Sequence, residues 1–373
     1  MRPILFALAG MFAMSAAAED PLVFVSAFAK GEKGAIHAFT LDQDSGALTP
    51  KAQTTDVEHP FFMALSSNHK FLYSIHAEAF GGEENEEVAA YKLVGRSGKL
   101  QLLNRVTSKG SASCYLDVDA TDKTVVVANY TSGDVASLPI HDDGSLGEPV
   151  SYFKHEGSSI DPKRQDSPKA HCFVIAPNNL FAFAADLGID KVMSYRLDAN
   201  TATLTPGAIP FAETPKGGGP RHLTFHPNGR YVYVINEMGN SITAYEFAAT
   251  NGKFTELQTI STLPDDFDGV SHTADLKITP DGKYLYGTNR GHDSIAAYRI
   301  GERDGKLTLI EIVPSLGKGP QNLAIAPGGQ QLLCANMPGG NVVVFAIDSE
   351  TGKLEAQGTP VEVPMASCIM IVP

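Results

Sequence analysis

The stretch Gly219–Phe247, GPRHLTFHPNGRYVYVINEMGNSITAYEF, decides the fold of this chain. Its β-branched and aromatic residues fall into three short runs separated by turn residues, which predicts three strands. Asn228-Gly229 forms the first turn, because glycine tolerates the positive φ that tight hairpins need. The third run, Ile242–Phe247, follows a second turn at Gly239-Asn240. The same pattern recurs along the chain, so this stretch is one copy of a repeat.

The repeat has the length of a propeller blade. Successive copies begin about fifty residues apart, which is the period of a four-stranded blade. A Gly-x-Leu motif precedes a fourth strand in several copies, as at Gly98–Leu100 and Gly305–Leu307. Besides the opening stretch, the copies that are complete begin at His59, Ser111, Ala170, His272 and Pro320.

The two ends of the chain supply one more blade. Leu22–Phe28, Ala35–Leu41 and Leu48–Thr54 look like strands two to four of a copy that lacks its first strand, and Met365–Val372 looks like that missing strand. Pairing them closes the ring and removes two sheet edges. We therefore predict an all-β, seven-bladed β-propeller with four antiparallel strands per blade, formed by residues 19–373. A long β-solenoid is the alternative, but it does not explain the displaced first strand.

Residues 1–18 have the features of a secretory signal peptide. Arg2 is followed by the apolar run Ile4–Met14 and by the small residues Ala16–Ala18, a pattern too short for a membrane span. Cleavage after Ala18 predicts a periplasmic or secreted protein. An uncleaved anchor is the alternative.

Composition limits the classes of partner. The chain of 373 residues has 29 basic and 42 acidic side chains and a formal net charge of −13, which argues against nucleic acid and anionic membranes as partners. An anionic ligand must therefore meet a local group of arginines or lysines. We expect no metal and no cofactor, since no ligand spacing supports one, and the oligomeric state stays open.

The cysteine pattern favours buried free thiols. All four cysteines lie in apolar runs, and none has the C-x-x-C spacing of metal or redox sites. A bridge between Cys114 and Cys172 is the alternative in an oxidising compartment. The four are Cys114, Cys172, Cys334 and Cys368.

Charged residues gather where the propeller should hold a ligand. The start of each first strand and the end of each second strand open on the same face, close to the axis, so residues at these positions should converge. A long loop, Glu156–Lys169, enters blade 4 nearby and is a candidate lid. Each residue also has a structural interpretation, as an ion pair between blades or a buried histidine. The candidate site residues are His171, Arg221, His222, Asn236, Glu237, Asp275, Asn289, Arg290, Gln321 and Arg164.

At these positions the chain resembles the propeller-type lactonase family, which includes bacterial 6-phosphogluconolactonases and fungal carboxy-cis,cis-muconate lactonising enzymes. The similar segments are DPKRQDSPKAH (161–171), ADLGIDKVMSYRL (185–197), GPRHLTFHPNGRYVYVINE (219–237) and TADLKITPDGKYLYGTNRG (273–291). The resemblance implies that the catalytic residues are His171, Arg221, Glu237 and Arg290. The chain departs from the family pattern at Lys169, where a histidine is frequent, and at Gln321, where an arginine is frequent.

The predicted activity is hydrolysis of a sugar lactone. Glu237 or His171 would accept a proton from water, and Arg221 and Arg290 would stabilise the oxyanion. No G-x-S-x-G motif indicates a serine nucleophile. Export favours an unphosphorylated aldonolactone such as glucono-1,5-lactone as the small-molecule ligand. The alternatives are a 6-phosphogluconolactonase, a lactone-forming cycloisomerase and, in another class, a non-catalytic envelope propeller that binds a protein through an exposed apolar patch.

Overall fold

The computed structural model describes residues 19–55, 57–76 and 86–373. The leader predicted over residues 1–18 lies outside these residues. Across them the strands form seven antiparallel sheets of four strands each, which confirms the seven-bladed propeller. One turn of 3-10 helix covers Gly31–Lys33. No helix of the described residues is long and apolar enough to cross a bilayer.

The strands follow each other outward from the axis within every blade. The three outer strands of blade 1 are β1 (Leu22–Ala27), β2 (Ala35–Leu41) and β3 (Leu48–Thr54). Blade 2 contains β4 (Met63–Leu65), β5 (Phe71–His76), β6 (Glu87–Leu93) and β7 (Leu100–Thr107). Blade 3 contains β8 (Ser113–Val118), β9 (Thr124–Asn129), β10 (Asp134–Pro139) and β11 (Ser151–Lys154). Blade 4 contains β12 (Ala170–Ile175), β13 (Phe181–Asp186), β14 (Lys191–Asp198) and β15 (Thr203–Glu213).

The remaining blades have the same order. Blade 5 contains β16 (Pro220–Phe225), β17 (Tyr231–Asn236), β18 (Ser241–Ala248) and β19 (Lys253–Ser261). Blade 6 contains β20 (His272–Ile278), β21 (Tyr284–Arg290), β22 (Ser294–Ile300) and β23 (Leu307–Pro314). Blade 7 contains β24 (Pro320–Ile325), β25 (Gln331–Asn336), β26 (Asn341–Ile347) and β27 (Leu354–Glu362). The last strand of the chain is β28 (Ala366–Val372).

The two ends of the chain close the ring. β28 is the innermost strand of blade 1 and pairs antiparallel with β1, with Val25 opposite Ile369. Arg96, in blade 2, donates to the main-chain oxygens of Asp20, just before β1, and Pro373, just after β28. The predicted closure is confirmed, with small changes in strand bounds.

The Gly-x-Leu motif has a packing explanation. The tyrosine hydroxyls of Tyr233 and Tyr286, in β17 and β21, donate at 2.8 and 3.0 Å to the carbonyl oxygens of Gly305 and Gly352 in the next blade. Both glycines have positive φ, and a Cβ there would meet an aromatic ring of the preceding blade at 2.5 Å or less. Glycine is therefore required for adjacent blades to pack closely.

Candidate active site

A β-bulge recurs near the start of the innermost strands and turns one extra side chain toward the axis. The register with the second strand shifts at Cys114, His171, Arg221 and Gln321, so that each of these residues is left without a partner in the ladder. Bulges re-aim side chains in this way next to functional sites. In regular strands consecutive side chains alternate between faces, and the bulge is what allows one side chain per blade to enter a shared cavity.

These four residues line one cavity of about 260 Å³ at the face predicted from the strand order. The loop before β12 contributes Arg164, and the residues that follow or end second strands contribute others. The lining residues are Phe28, Phe61, Cys114, Tyr130, Arg164, His171, Arg221, Glu237, Arg290, Gln321 and Met337. The four predicted catalytic residues thus face the same space.

Glu237 is the centre of the charged wall. Its Oε1 accepts a hydrogen bond from Nη2 of Arg164 at 2.6 Å, and its Oε2 lies 3.0 Å from Nε of Arg221 and 2.8 Å from Nη2 of Arg290. The side chain of Arg221 is almost fully buried, whereas those of Arg290 and Arg164 are 26% and 37% exposed. Three guanidinium groups share one carboxylate, which leaves an excess of positive charge at the cavity.

The neighbouring charges and burial determine the protonation states of Glu237 and Arg221. Burial alone would raise the pKa of Glu237, but Arg290 and Arg221 hold that pKa well below its ordinary value. Burial and the charge of Arg290 lower the pKa of Arg221 to about 10, so the guanidinium is still charged at neutral pH. Glu237 is therefore an anion that positions cations, because partners of opposite charge favour the ionised form of a carboxyl group.

His171 stands beside this ion cluster as a neutral ring. Burial, together with Arg221 and His222, lowers the pKa of His171 well below its ordinary value. Its Nε2 lies 3.9 Å from Oε2 of Glu237, and its Nδ1 lies 3.7 Å from Sγ of Cys114. A neutral imidazole at the cavity wall can accept a proton and return it.

The other side of the cavity is apolar and aromatic. The rings of Phe28 and Phe61 pack edge to face with centroids 5.0 Å apart, and Met337 lies with them in the cavity wall. Tyr130 forms the border between the two walls, with its ring 5.3 Å from that of His171 and its hydroxyl 3.3 Å from Nη2 of Arg164. A ligand here meets charge on one side and apolar surface on the other, as in most small-molecule sites.

Two predicted substrate-binding residues lie behind this wall instead of in it. His222 is 3% and Asp275 1% exposed. They are hydrogen-bonded to each other and do not line the cavity. Arg164 and Gln321 do line it, and Nη1 of Arg290 donates to Oε1 of Gln321 at 3.4 Å.

The prediction for Asn236 and Asn289 needs correction. Both are fully buried and bond within the protein: Nδ2 of Asn236 donates to Ser241 and Thr243, and Nδ2 of Asn289 to the carbonyl oxygen of Thr262. These amide hydrogen bonds hold the end of the second strand against adjacent segments of the chain. The residue one position later, Glu237 or Arg290, is the one that faces the cavity.

Sequence reasoning missed five lining residues, although the signal was present. Phe28, Tyr130 and Met337 each follow the last residue of a second strand, as Glu237 does. Phe61 and Cys114 lie where first strands begin. A selection restricted to charged, histidine and amide side chains at these positions excludes them.

The cysteines form no disulfide in the described part of the chain. All four cysteines are buried and free, so the alternative of a Cys114–Cys172 bridge is wrong. Burial raises the pKa of the Cys114 thiol well above its ordinary value. Among residues 19–55, 57–76 and 86–373, no group of three or more His, Cys, Asp or Glu side chains could hold a metal ion.

Comparison with known proteins gives one consistent result. The family "Lactonase, 7-bladed beta-propeller" matches residues 22–371. A 6-phosphogluconolactonase from Bacillus subtilis is 37% identical over 347 residues, which cover 93% of this chain and 97% of that one. A 6-phosphogluconolactonase from Formosa agariphila is 34% identical and covers 89% and 94% of the two chains. The solved structure of a periplasmic gluconolactonase from Pseudomonas aeruginosa is 28% identical, with a TM-score of 0.88 and coverage of 95% and 99%.

The ring of blades with a charged cavity at one end of its axis defines an enzyme of the β-propeller class that acts on a small molecule. The chain belongs to the lactonase family of seven-bladed β-propellers. It is accordingly a lactonase, an enzyme that hydrolyses cyclic esters.

Proposed function

We propose that this lactonase hydrolyses an aldonolactone such as glucono-1,5-lactone, with His171 as general base and Arg221 and Arg290 as donors to the carbonyl oxygen. One observation carries the proposal: a neutral imidazole and two guanidinium groups share one wall of a cavity that is closed on the other side by Phe28 and Phe61. The volume suits a single sugar ring, whose C–H face would lie against the aromatic rings.

Each step uses a group in that wall. His171 accepts a proton from water as the water oxygen attacks the carbonyl carbon. The carbonyl oxygen becomes an oxyanion, and the guanidinium groups stabilise it. No residue in the described part of the chain accepts a hydrogen bond from Nη2 of Arg221, so this donor is available to the substrate. When the ring C–O bond breaks, the protonated His171 returns the proton to the leaving oxygen, and the product is a hydroxy acid.

His171 is a better base than Glu237. The Glu237 carboxylate is bound by three guanidinium groups, and its lowered pKa makes it a weak proton acceptor. The pKa of His171 is lowered as well, chiefly by burial, but its ring is neutral at neutral pH and Oε2 of Glu237 lies 3.9 Å from its Nε2, beyond hydrogen-bond distance. We therefore assign Glu237 to holding the arginines.

The compartment favours an unphosphorylated substrate. The predicted leader would carry the chain out of the cytoplasm, where phosphorylated sugar lactones are made, and the Pseudomonas relative is a periplasmic gluconolactonase. The excess positive charge at the cavity favours the second candidate, 6-phosphogluconolactone, which the names of two relatives also suggest.

Acid release from the purified chain tests these candidates. Glucono-1,5-lactone, its 6-phosphate and a muconolactone would be compared at equal concentration after subtraction of spontaneous hydrolysis. We expect the highest kcat/KM for glucono-1,5-lactone and a loss of at least about 100-fold in kcat for His171→Ala. The exposed His141 provides the control variant His141→Ala. A preference for the 6-phosphate would select the second candidate, and no rate on any lactone would reject the proposal.

Export has its own test. Expression in a Gram-negative host, followed by cell fractionation, should place the processed protein in the periplasm with Glu19 as its first residue. Deletion of residues 2–18 should retain the protein in the cytoplasm with full lactonase activity. An unprocessed chain found in the cytoplasm would contradict the export proposal and would favour the phosphorylated substrate.

A further inference from the structure

Arg221 is held by three protein groups, two of which, the His222 ring and the carbonyl oxygen of Ala274, do not line the cavity. Its Nη1 donates to Nε2 of His222 at 3.1 Å and to the carbonyl oxygen of Ala274 at 2.6 Å. Its Nε donates to Glu237 at 3.0 Å. Nε and Nη1 of the guanidinium are thus hydrogen-bonded to protein groups, and Nη2 remains for a ligand.

The hydrogen bonds determine the tautomer of His222. A guanidinium donates only, so Nε2 of His222 must be the acceptor. Burial and the charge of Arg221 lower the pKa of His222 to about 3, and the ring is neutral at neutral pH. Its one N–H is consequently on Nδ1 and donates to Oδ1 of Asp275 at 2.8 Å.

Asp275 is itself fixed by several donors. Nζ of Lys277 lies 2.9 and 2.7 Å from its two carboxylate oxygens, and Oδ2 also accepts from Nδ2 of Asn322 at 2.8 Å and from the backbone N–H of Leu323 at 2.9 Å. These groups belong to blades 6 and 7, and His222 belongs to blade 5. Asp275 is therefore an immobile acceptor that determines where His222 can lie.

We propose that His222 and Asp275 are positioning residues that orient Arg221, so that Nη2 faces the carbonyl oxygen of the substrate. The inference rests on the proposed role of Arg221 in oxyanion stabilisation. Glu237 accepts from Nε and the carbonyl oxygen of Ala274 accepts from one N–H of Nη1; His222 accepts from the other N–H of Nη1, and the three contacts together fix the plane of the guanidinium. An oxyanion donor needs this precision, because a fixed dipole stabilises developing charge without reorganisation.

Two substitutions of His222 separate orientation from stability. The amide of His222→Gln reaches the position of Nε2 and can accept from Arg221, whereas the shorter amide of His222→Asn reaches only the position of Nδ1 and can bond Asp275. We expect His222→Asn to lower kcat about 100-fold and His222→Gln about 10-fold, each with KM within about twofold of wild type.

A second buried histidine–aspartate pair provides the matched control. Nδ1 of His155 lies 2.6 Å from Asp186 and its Nε2 lies 2.9 Å from the hydroxyl of Tyr195, and His155 is not part of the cavity wall. His155→Asn should lower the melting temperature while kcat stays within about twofold of wild type.

The result for Arg221→Ala distinguishes the two proposals. Unchanged kcat in Arg221→Ala would reject the role of Arg221 and this inference with it. Loss of kcat in Arg221→Ala, with equal losses or no loss in His222→Asn and His222→Gln, would overturn only the positioning role. Nitrogen-15 NMR of histidine-labelled wild-type protein is independent of variant folding. His222 should show a protonated Nδ1 and an unprotonated Nε2, and the opposite tautomer or a charged ring would also overturn the inference.

Discussion

Oε1 of Glu237 lies 2.6 Å from Nη2 of Arg164, and this contact joins the long loop before blade 4 to the end of the second strand of blade 5. The loop is anchored nearby, since the buried Gln165 donates to the carbonyl oxygen of Leu187 and to Asp190. Asp190 also accepts the backbone N–H groups of Gly217 and Gly219, just before Arg221. Asp190 therefore connects the loop that carries Arg164 with the loop that leads into β16 and Arg221.

Replacing Glu237 by glutamine should strengthen product inhibition. Hydrolysis converts a neutral lactone into a carboxylate, and the cavity already has an excess of positive charge. Removing one negative charge there is worth on the order of 1 kcal/mol, or about fivefold in the inhibition constant of gluconate. Glu237→Gln should also lower kcat about 10-fold, because the arginines lose their common acceptor. Inhibition kinetics with gluconate measure both effects, with Glu302→Gln, an exposed position, as the control; an unchanged inhibition constant would contradict the charge argument.

Arg164 should affect substrate binding more than chemistry. Its side chain is 37% exposed and lies on a loop, whereas Arg221 is buried at the cavity wall. We expect Arg164→Ala to raise KM about 5- to 10-fold while kcat changes less than about threefold, since a rim charge contributes mainly to capture of the ligand. Steady-state kinetics should show no such change for the adjacent exposed Lys163→Ala. A fall in kcat without a change in KM would place Arg164 in the chemical step instead.

The pH profile of kcat/KM should report His171. Its pKa lies well below 6.5, so the neutral base is fully populated at pH 6.5 and above, and activity is lost only as pH falls through the lowered value. Rates corrected for spontaneous hydrolysis should be flat from about pH 6.5 to 8 and should decline at lower pH. A midpoint above pH 6.5 would show that another group controls the reaction.

Acid stability should depend on a buried histidine, His76, that does not line the cavity. Burial lowers the pKa of His76 to about 3 in the folded protein. Below pH 6.5 the unfolded chain binds a proton that the folded chain does not, so stability falls with pH by up to about 1.4 kcal/mol per unit for this group.

Urea unfolding at pH 6.5 and 5.5 measures this dependence. His76→Gln should lose about 1 kcal/mol less stability than wild type between the two pH values, and the amide can still bond the hydroxyl of Tyr91 that now lies 3.1 Å from Nε2. The exposed His141→Gln should retain the wild-type dependence. Equal slopes in all three proteins would contradict the prediction.

The repeat pattern predicted the convergence of Glu237 and Arg290 because equivalent positions in successive blades lie on one rim. It does not distinguish between consecutive residues at the end of a second strand. The pattern predicts Asn236 and Asn289 as site residues together with Glu237 and Arg290, but a side chain's direction reverses from one residue to the next. The amides point into the protein and the charged groups into the cavity.

Sequence by itself determined the number of blades, their order, the closure by β1 and β28 and the rim on which the ligand site lies. These features follow from local alternation and turn chemistry, which neighbouring residues specify. Only the tertiary structure decided that Arg221 enters the cavity while His222 supports it from behind. That outcome depends on a bulge in β16 and on Asp275, which lies 53 residues from His222 in the chain, and no local pattern encodes a contact between blades.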